Sequence, residues 1–183
     1  MNNLTCSNVH TCLTAVIIQI DESLFNHKAK YNRGRSASKE QFFSMANTSH
    51  KPAITYMQVV DDRKTETLIP IIQRVANPDS IIHSDQWRTY SRINSELQLE
   101  HGTANHSVNF VDPETGVYIQ IIESYWAKTK QKFKEMKGVS ADALPTYLDE
   151  RMWRDRWGKT ESEAYTSILL HIAEHYRLEK TSL

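Results

Sequence analysis

The sequence has little of what marks several large protein classes. It contains only two cysteines, Cys6 and Cys12, which are too few for a disulfide framework. With His10 they suggest a zinc knuckle, but no second pair of ligands follows nearby, so we expect reduced thiols. No apolar run approaches the length of a membrane span, and the first residues lack the basic start and apolar core of a secretion signal. We therefore expect an intracellular protein without a membrane partner, in the nucleus or cytoplasm depending on the host.

An excess of charge of either sign is also missing. The 22 basic and 22 acidic residues give a formal net charge of zero at pH 7. This excludes the strongly basic surface of proteins that coat nucleic acid without specificity. It does not exclude a carboxylate site, because bound cations neutralise such a site. Two segments, 27–35 and 128–137, are locally basic, and the alternative for each is a solvated loop or helix face.

The length and composition are those of a single globular domain. The chain has 183 residues, of which 39% are hydrophobic and 24% are charged. Periodicity and turn residues predict strands over 15–21, 41–46, 53–60, 80–85 and 97–101, and helices over 65–76, 86–95, 120–136, 144–157 and 161–177. The first helix contains Pro70, so its start is predicted as late as Thr67. The last helix has an apolar stripe and is expected to pack on the domain or extend it.

This order of elements predicts the fold. Three strands, a helix, a strand, a short helix and a fifth strand, followed by helices, indicate an α/β architecture with a mixed sheet. A ribonuclease-H-like mixed five-stranded sheet flanked by helices, with a helical C-terminal tail, has this order. In that arrangement the first and fourth strands are neighbours in the centre of the sheet. We expect an irregular leader over 1–13, a main domain over 14–158 and a C-terminal helix within 159–183.

Three acidic residues stand at the ends of predicted elements. Asp21 closes the first strand, Asp85 closes the fourth, and Glu123 opens the third long helix. Grouped carboxylates hold hard divalent cations, and two cations can clamp the attacking and leaving oxygens of a phosphodiester. A chain with 22 acidic residues also places some of them at strand ends by chance.

The neighbours of these carboxylates have less certain roles. Asp21 shares its strand face with Gln19, whereas Glu22 points to the opposite face and is expected to be solvated or directed at a helix. His83 shares a face with Asp85. It either orients Asp85 or contacts a phosphate, or it is a hydrogen-bonded histidine beneath the site, and the sequence leaves both readings open.

The third long helix carries a second pattern. Glu123 and Lys130 are seven residues apart, so they lie on one helix face. On that face the carboxylate would bind a metal ion and the lysine would bind a DNA phosphate. The alternative is an ordinary surface helix with paired charges. Trp126 and Phe133 have the same spacing, and core packing is favoured over base stacking. In the long loop predicted over 102–118, His106 either approaches the site or is exposed.

Seven blocks of sequence resemble a known family in the same order along the chain. They are 20–25 (IDESLF), 30–35 (KYNRGR), 66–72 (ETLIPII), 82–85 (IHSD) followed by Trp87 and Tyr90, 105–116 (NHSVNFVDPETG), 122–126 (IESYW) and 147–153 (YLDERMW). Together they resemble the ISXO2-like transposase domain, a branch of the DDE transposases of insertion sequences. The resemblance extends over about residues 15–158.

The resemblance implies a ribonuclease-H-like fold that performs two-metal DNA strand cleavage and transfer. Asp21, Asp85 and Glu123 would hold two Mg²⁺ or Mn²⁺ ions, and Lys130 would be the basic residue that accompanies them. DNA, both as transposon ends and as target, is the implied partner; a homodimer is a further expectation, and no small-molecule organic cofactor is needed. The expected DNA-binding residues are the basic side chains of two segments, Lys28, Lys30, Arg33, Arg35 and Lys134.

The chain departs from the family pattern at three places. It leaves no room for the zinc-binding and helix-turn-helix region that usually precedes the catalytic strand, so a truncated chain is expected. Gln120 stands where many relatives have an asparagine counted with the catalytic set, and residues 36–52 match poorly. Two alternatives follow: a catalytically silent, transposase-derived module that binds DNA or protein, and a structure-specific nuclease that does not join strands.

Overall fold

The computed structural model of the chain describes residues 17–26, 39–104, 111–113 and 115–176. The strands are β1 (Ile17–Asn26), β2 (Lys39–Asn47), β3 (Ile54–Val60), β4 (Ile81–Asp85) and β5 (Glu100–Ala104). The helices are α1 (Thr65–Val75), α2 (Ile93–Leu97), α3 (Gln120–Glu135), α4 (Leu144–Trp157) and α5 (Glu161–His175), with a 3-10 turn at Arg88–Arg92 before α2. No helix in this part of the chain is long and apolar enough to cross a membrane.

The five strands form one mixed sheet in the order β3-β2-β1-β4-β5. Antiparallel pairing joins β1 to β2 and β2 to β3, whereas β4 runs parallel to both β1 and β5. The predicted mixed sheet is therefore confirmed, with the first and fourth strands adjacent at its centre. The predicted leader over 1–13 lies outside the described residues, and the predicted boundaries of the main domain stay a prediction.

The sheet separates two hydrophobic cores. Ile18 and Ile20 of β1 project to one face and pack with Leu68 and Ile72 of α1. The other face packs against α3 and α4, where buried side chains include Phe42, Ile122, Trp126, Phe133 and Leu148. Alternation along β1 thus assigns odd-numbered residues to the α3 side and even-numbered residues to the α1 side. The core role predicted for Trp126 and Phe133 is confirmed.

Strand β1 is longer than predicted. It continues five residues beyond Asp21, because its antiparallel pairing with β2 extends as far as Asn26 opposite Lys39. Its parallel pairing with β4 ends earlier, at Gln19 opposite His83. Asp21 therefore lies within a strand at the point where the central parallel pair ends.

Two other boundaries differ from the prediction. The fifth strand begins at Glu100, because Leu97 ends α2 and Gln98 adopts a left-handed turn with φ of 56°. Helix α1 begins at Thr65 and contains Pro70. Proline removes the amide that would bond the Glu66 carbonyl, but Glu66 and Pro70 are both exposed, so water can satisfy that carbonyl.

Candidate active site

The parallel pairing of β1 with β4 places the first two carboxylates side by side. Ile17 pairs with Ile81 and Gln19 with His83, and this register continued by two residues sets Asp21 opposite Asp85. Burial, together with the charges of Glu22 and Asp85, raises the pKa of Asp21 to about 7. The Glu123 carboxylate also contributes. Asp85 and Glu123 therefore both lie within electrostatic reach of Asp21.

A buried glutamine ties the third carboxylate to the central strand. Gln19 is fully buried, and its Oε1 accepts hydrogen bonds from the amides of Ile121 (3.0 Å) and Ile122 (3.1 Å). The first amides of a helix have no partner within the helix, and Ile119 at the N-cap has no side-chain oxygen to offer. Gln19 supplies that cap from β1, two residues before Asp21, so it fixes the turn of α3 that carries Glu123.

The charged residues predicted on α3 lie where the helical spacing puts them. Glu123 and Lys130 are half-buried, whereas Lys134 and Gln120 are exposed. Neither Glu123 nor Lys130 forms an ion pair with any other described residue. Both charges of this face are therefore available to a ligand that the chain itself does not supply.

Glu22 is directed at a helical turn on the opposite face. Its carboxylate accepts a hydrogen bond from the hydroxyl of Tyr90, in the 3-10 turn that follows β4. Burial raises the pKa of Glu22, while the Tyr90 hydrogen bond and the Arg63 charge lower it. The sequence predicted no role for Tyr90. This residue is buried, and its hydrogen bond to Glu22 joins the turn after β4 to strand β1.

The loop after β4 orients Asp85. The backbone amide of Trp87 donates to Asp85 Oδ1 at 3.0 Å, and the Trp87 indole donates to Thr89 Oγ1 at 2.5 Å. The Arg63 guanidinium lies 4.4 Å from the centre of the Trp87 ring, a cation–π contact. One oxygen of Asp85 is therefore fixed by the backbone, and the other has no hydrogen bond from the described residues.

His83 lies beneath the carboxylates. It is buried, its ring meets Tyr118 edge-to-face at 5.9 Å, and burial lowers its pKa, which favours the neutral imidazole. Gly102 on β5 makes room for Val117 beside this ring, since a Cβ there would stand 2.6 Å from a Val117 methyl group. These contacts are those of a histidine below the site, and a role in orienting Asp85 stays a prediction.

Five predicted residues fall outside this account. Within the described residues, no three His, Cys, Asp or Glu side chains stand close enough together to hold one metal ion. The carboxylates are oxygen ligands of the kind that Mg²⁺ prefers, but they do not yet share one coordination shell. The other predicted residues lie outside the described residues, namely Lys28, Lys30, Arg33, Arg35 and His106.

Comparison with known proteins identifies the family. Residues 16–155 match the ISXO2-like transposase domain. The chain belongs to this family. It is also 29% identical, over 119 residues, to an uncharacterized transposase-like protein of Haemophilus influenzae; the match covers 65% of the chain and 93% of that protein. The family inferred from the sequence blocks is therefore confirmed.

A solved structure confirms the fold. The catalytic core domain of BIV integrase superposes with a TM-score of 0.52 at 12% identity, covering 88% of the chain and 99% of that domain. That domain has a ribonuclease-H-like fold, which is the fold predicted for this chain from the order of its elements. A chain of the simian T-cell lymphotropic virus intasome, solved in complex with PP2A regulatory subunit B56 gamma, gives a TM-score of 0.48 at 13% identity, with 76% of the chain covered. The chain spans about half the length of that intasome protein, 48%.

Proposed function

We propose that the chain is the catalytic part of a DDE transposase and cleaves and joins DNA strands with two Mg²⁺ or Mn²⁺ ions. The observation that supports the proposal is that Asp21, at the end of the β1–β4 pair, lies within electrostatic reach of both Asp85 and Glu123. The strand register aligns the first two, and Gln19 anchors the helix that bears the third. Divalent cations bound there would neutralise the attacking and leaving oxygens of a phosphodiester.

The charge of the site supports a cation as its missing component. Asp21 is buried beside Glu22, Asp85 and Glu123, and this raises its pKa to about 7. Like charges gathered in a partly buried place oppose ionisation, and a bound divalent cation reverses that effect. Asp21 would release its proton when a cation binds. Asp85, held by the Trp87 amide, would offer its second oxygen.

Helix α3 supplies the proposed contacts with DNA. Lys130 is half-buried on the face of Glu123, and Lys134 continues that face by one turn into solvent. Lysines so placed would bind phosphates on either side of the bond that is cut, which fixes the register of the strand without reading its sequence. The basic residues Lys28, Lys30, Arg33 and Arg35 are proposed to extend this contact to transposon ends or target DNA.

One observation favours a second candidate, the catalytically silent module. The described residues hold no group of three metal ligands, so the carboxylates must move closer before they can share an ion. Under the first proposal, the Glu123 side chain would turn toward Asp21 and Asp85 on binding of cation and DNA, and the three carboxylates would hold the cations. Under the second, no such rearrangement occurs and the fold serves only to bind DNA or protein.

The first prediction separates these two functions. Wild-type chain should bind Mn²⁺ in calorimetry with DNA present and nick supercoiled plasmid, whereas Asp85→Ala should lose both while remaining folded. Asp79→Ala is the matched control, because this exposed carboxylate precedes the other end of the same strand. Undiminished nicking by Asp85→Ala would refute the site. DNA binding by the wild type without Mn²⁺ uptake or nicking would support the silent module.

A further inference from the structure

Helix α5 packs on the domain through its small and polar face. Only three of its residues are even partly buried: Ala164, Ser167 and His171, spaced as one helical face. Ser167 Oγ donates to the Trp157 carbonyl at 2.7 Å, and His171 Nδ1 accepts from the Trp153 indole at 3.0 Å. A surface helix ordinarily buries its apolar stripe instead.

The apolar stripe of α5 faces away from the domain. We define the outer stripe as Tyr165, Ile168, Leu169, Ile172 and Tyr176, which recur at i, i+3, i+4, i+7 and i+11. Their exposed fractions are 69, 48, 48, 49 and 69%. Ala164 lies on a different side of the helix, facing Gly158 at the end of α4.

The size of the outer stripe indicates that it is covered. Five large side chains, each about half exposed or more, present an area on the order of 600 Å², which is at the upper end of the apolar patches found on monomers. A stable interface needs about 800 Å² from each partner. The outer stripe alone supplies roughly three-quarters of that area.

The charges that flank the outer stripe fit a second copy of the same helix. The first turn of α5 contains Glu161 and Glu163, and its last turn contains His175. Glu161 and His175 lie on the same flank of the stripe. In an antiparallel pair, each acidic first turn therefore lies beside the partner's last turn, and the helix dipoles are also opposed. A parallel pair would instead bring the two Glu161 side chains together.

We infer that the outer stripe is a homodimer interface in which α5 pairs antiparallel with α5 of a second copy. A two-fold axis between Ile168 and Leu169 makes the stripe complementary to itself. Tyr165 then packs against Ile172 of the partner subunit, and Glu161 lies near His175 of the partner subunit. This interface is independent of the proposed catalysis, since α5 bears none of the proposed active-site residues.

The second prediction is that the full chain is a dimer in solution. Its mass is measured by sedimentation equilibrium at about 10 μM, a concentration at which a micromolar dimer is well populated. Wild type should show twice the monomer mass of 21.2 kDa, and Ile168→Glu should halve it. Leu170→Glu is the matched control, because Leu170 is 58% exposed on the same helix but lies off the outer stripe. It should remain dimeric.

Mixing two variants tests the antiparallel arrangement. Tyr165→Lys and Ile172→Glu should each be monomeric alone and form a heterodimer when mixed, because antiparallel pairing sets these positions opposite each other. A mixture that stays monomeric would contradict the arrangement. A monomeric wild type would overturn the inference, and the outer stripe would then be covered by a different protein or chain segment. A dimer that survives Ile168→Glu would also overturn it, because its interface must then lie elsewhere.

Discussion

Helices α3 and α5 have nearly the same length, 16 and 15 residues, but opposite relations to the core. Helix α3 buries Ile122, Trp126 and Phe133 against the sheet and turns its charges outward. Helix α5 has no buried residue and turns its apolar residues outward. A helix can position a side chain for chemistry only if the helix is fixed, so α3 is suited to carry the proposed active-site residue Glu123, whereas α5 is suited to contact between molecules.

The starts of the two helices differ in the same way. Helix α5 is capped locally: Thr160 Oγ1 accepts from the Glu163 amide, and the Glu163 side chain accepts from the Thr160 amide. Helix α3 has no such local cap and depends on Gln19, which is 102 residues away in the sequence from Ile121. The start of α5 is therefore set by its own sequence, and that of α3 by the sheet.

The largest effect is expected where α3 meets the core. Trp126 is 5% exposed and packs 5.8 Å from the Phe42 ring, so Trp126→Ala should lower the free energy of unfolding by about 3–5 kcal/mol. Leu170→Ala in α5 should change it by less than about 0.5 kcal/mol. Urea denaturation with matched m-values measures both. Similar losses in the two variants would show that α5 belongs to the same core.

A smaller effect is expected at the cap of α3. Gln19→Leu removes the acceptor of two buried amides and should lower the free energy of unfolding by about 1–3 kcal/mol. It should also speed hydrogen exchange at Ile121 and Ile122 and weaken Mn²⁺ binding, because the Glu123 turn is then loose.

Gln19→Glu is the matched control, since it retains an oxygen in the same place and should keep those amides protected. Protection that survives Gln19→Leu unchanged would contradict the cap. The stability loss alone would not establish it, because any large change at a buried position in β1 lowers stability.

The sequence could predict the elements whose signals are local. The apolar run before Asp21 and the short run before Asp85 are enough to identify central strands with carboxylates near their ends. The heptad spacing of Trp126 and Phe133 likewise identifies the buried face of α3. By contrast, β5 contains Glu100, His101 and Gly102, which are poor strand formers, and its pairing with β4 determines its limits.

Contacts between distant segments could not be predicted in this way. Tyr90 and Glu22 are 68 residues apart, and no periodicity links them. Gln19 offered a partial signal, because a polar residue inside an apolar strand must find a buried partner. Its partners, however, are backbone amides, which carry no mark in the sequence. The outward orientation of the α5 stripe was equally hidden, since periodicity reveals a stripe and not what it faces.

The smallest effect, counted per pH unit, concerns the carboxylate charges that α3 and β1 bring together. In metal-free protein the folded-state pKa of Asp21 is about 7, against an ordinary 3.8, so between pH 4 and 7 the native state holds a proton that the unfolded state has released. The stability that this bound proton gives the native state is therefore present at low pH, and it is lost as the pH rises from about 4 through 7. The slope is at most about 1.4 kcal/mol per pH unit. Asp21→Asn should flatten that slope, and Mn²⁺ at pH 8 should stabilise only the wild type. Equal slopes would mean that Asp21 has an ordinary pKa, so that neither its burial nor the neighbouring carboxylates oppose its ionisation.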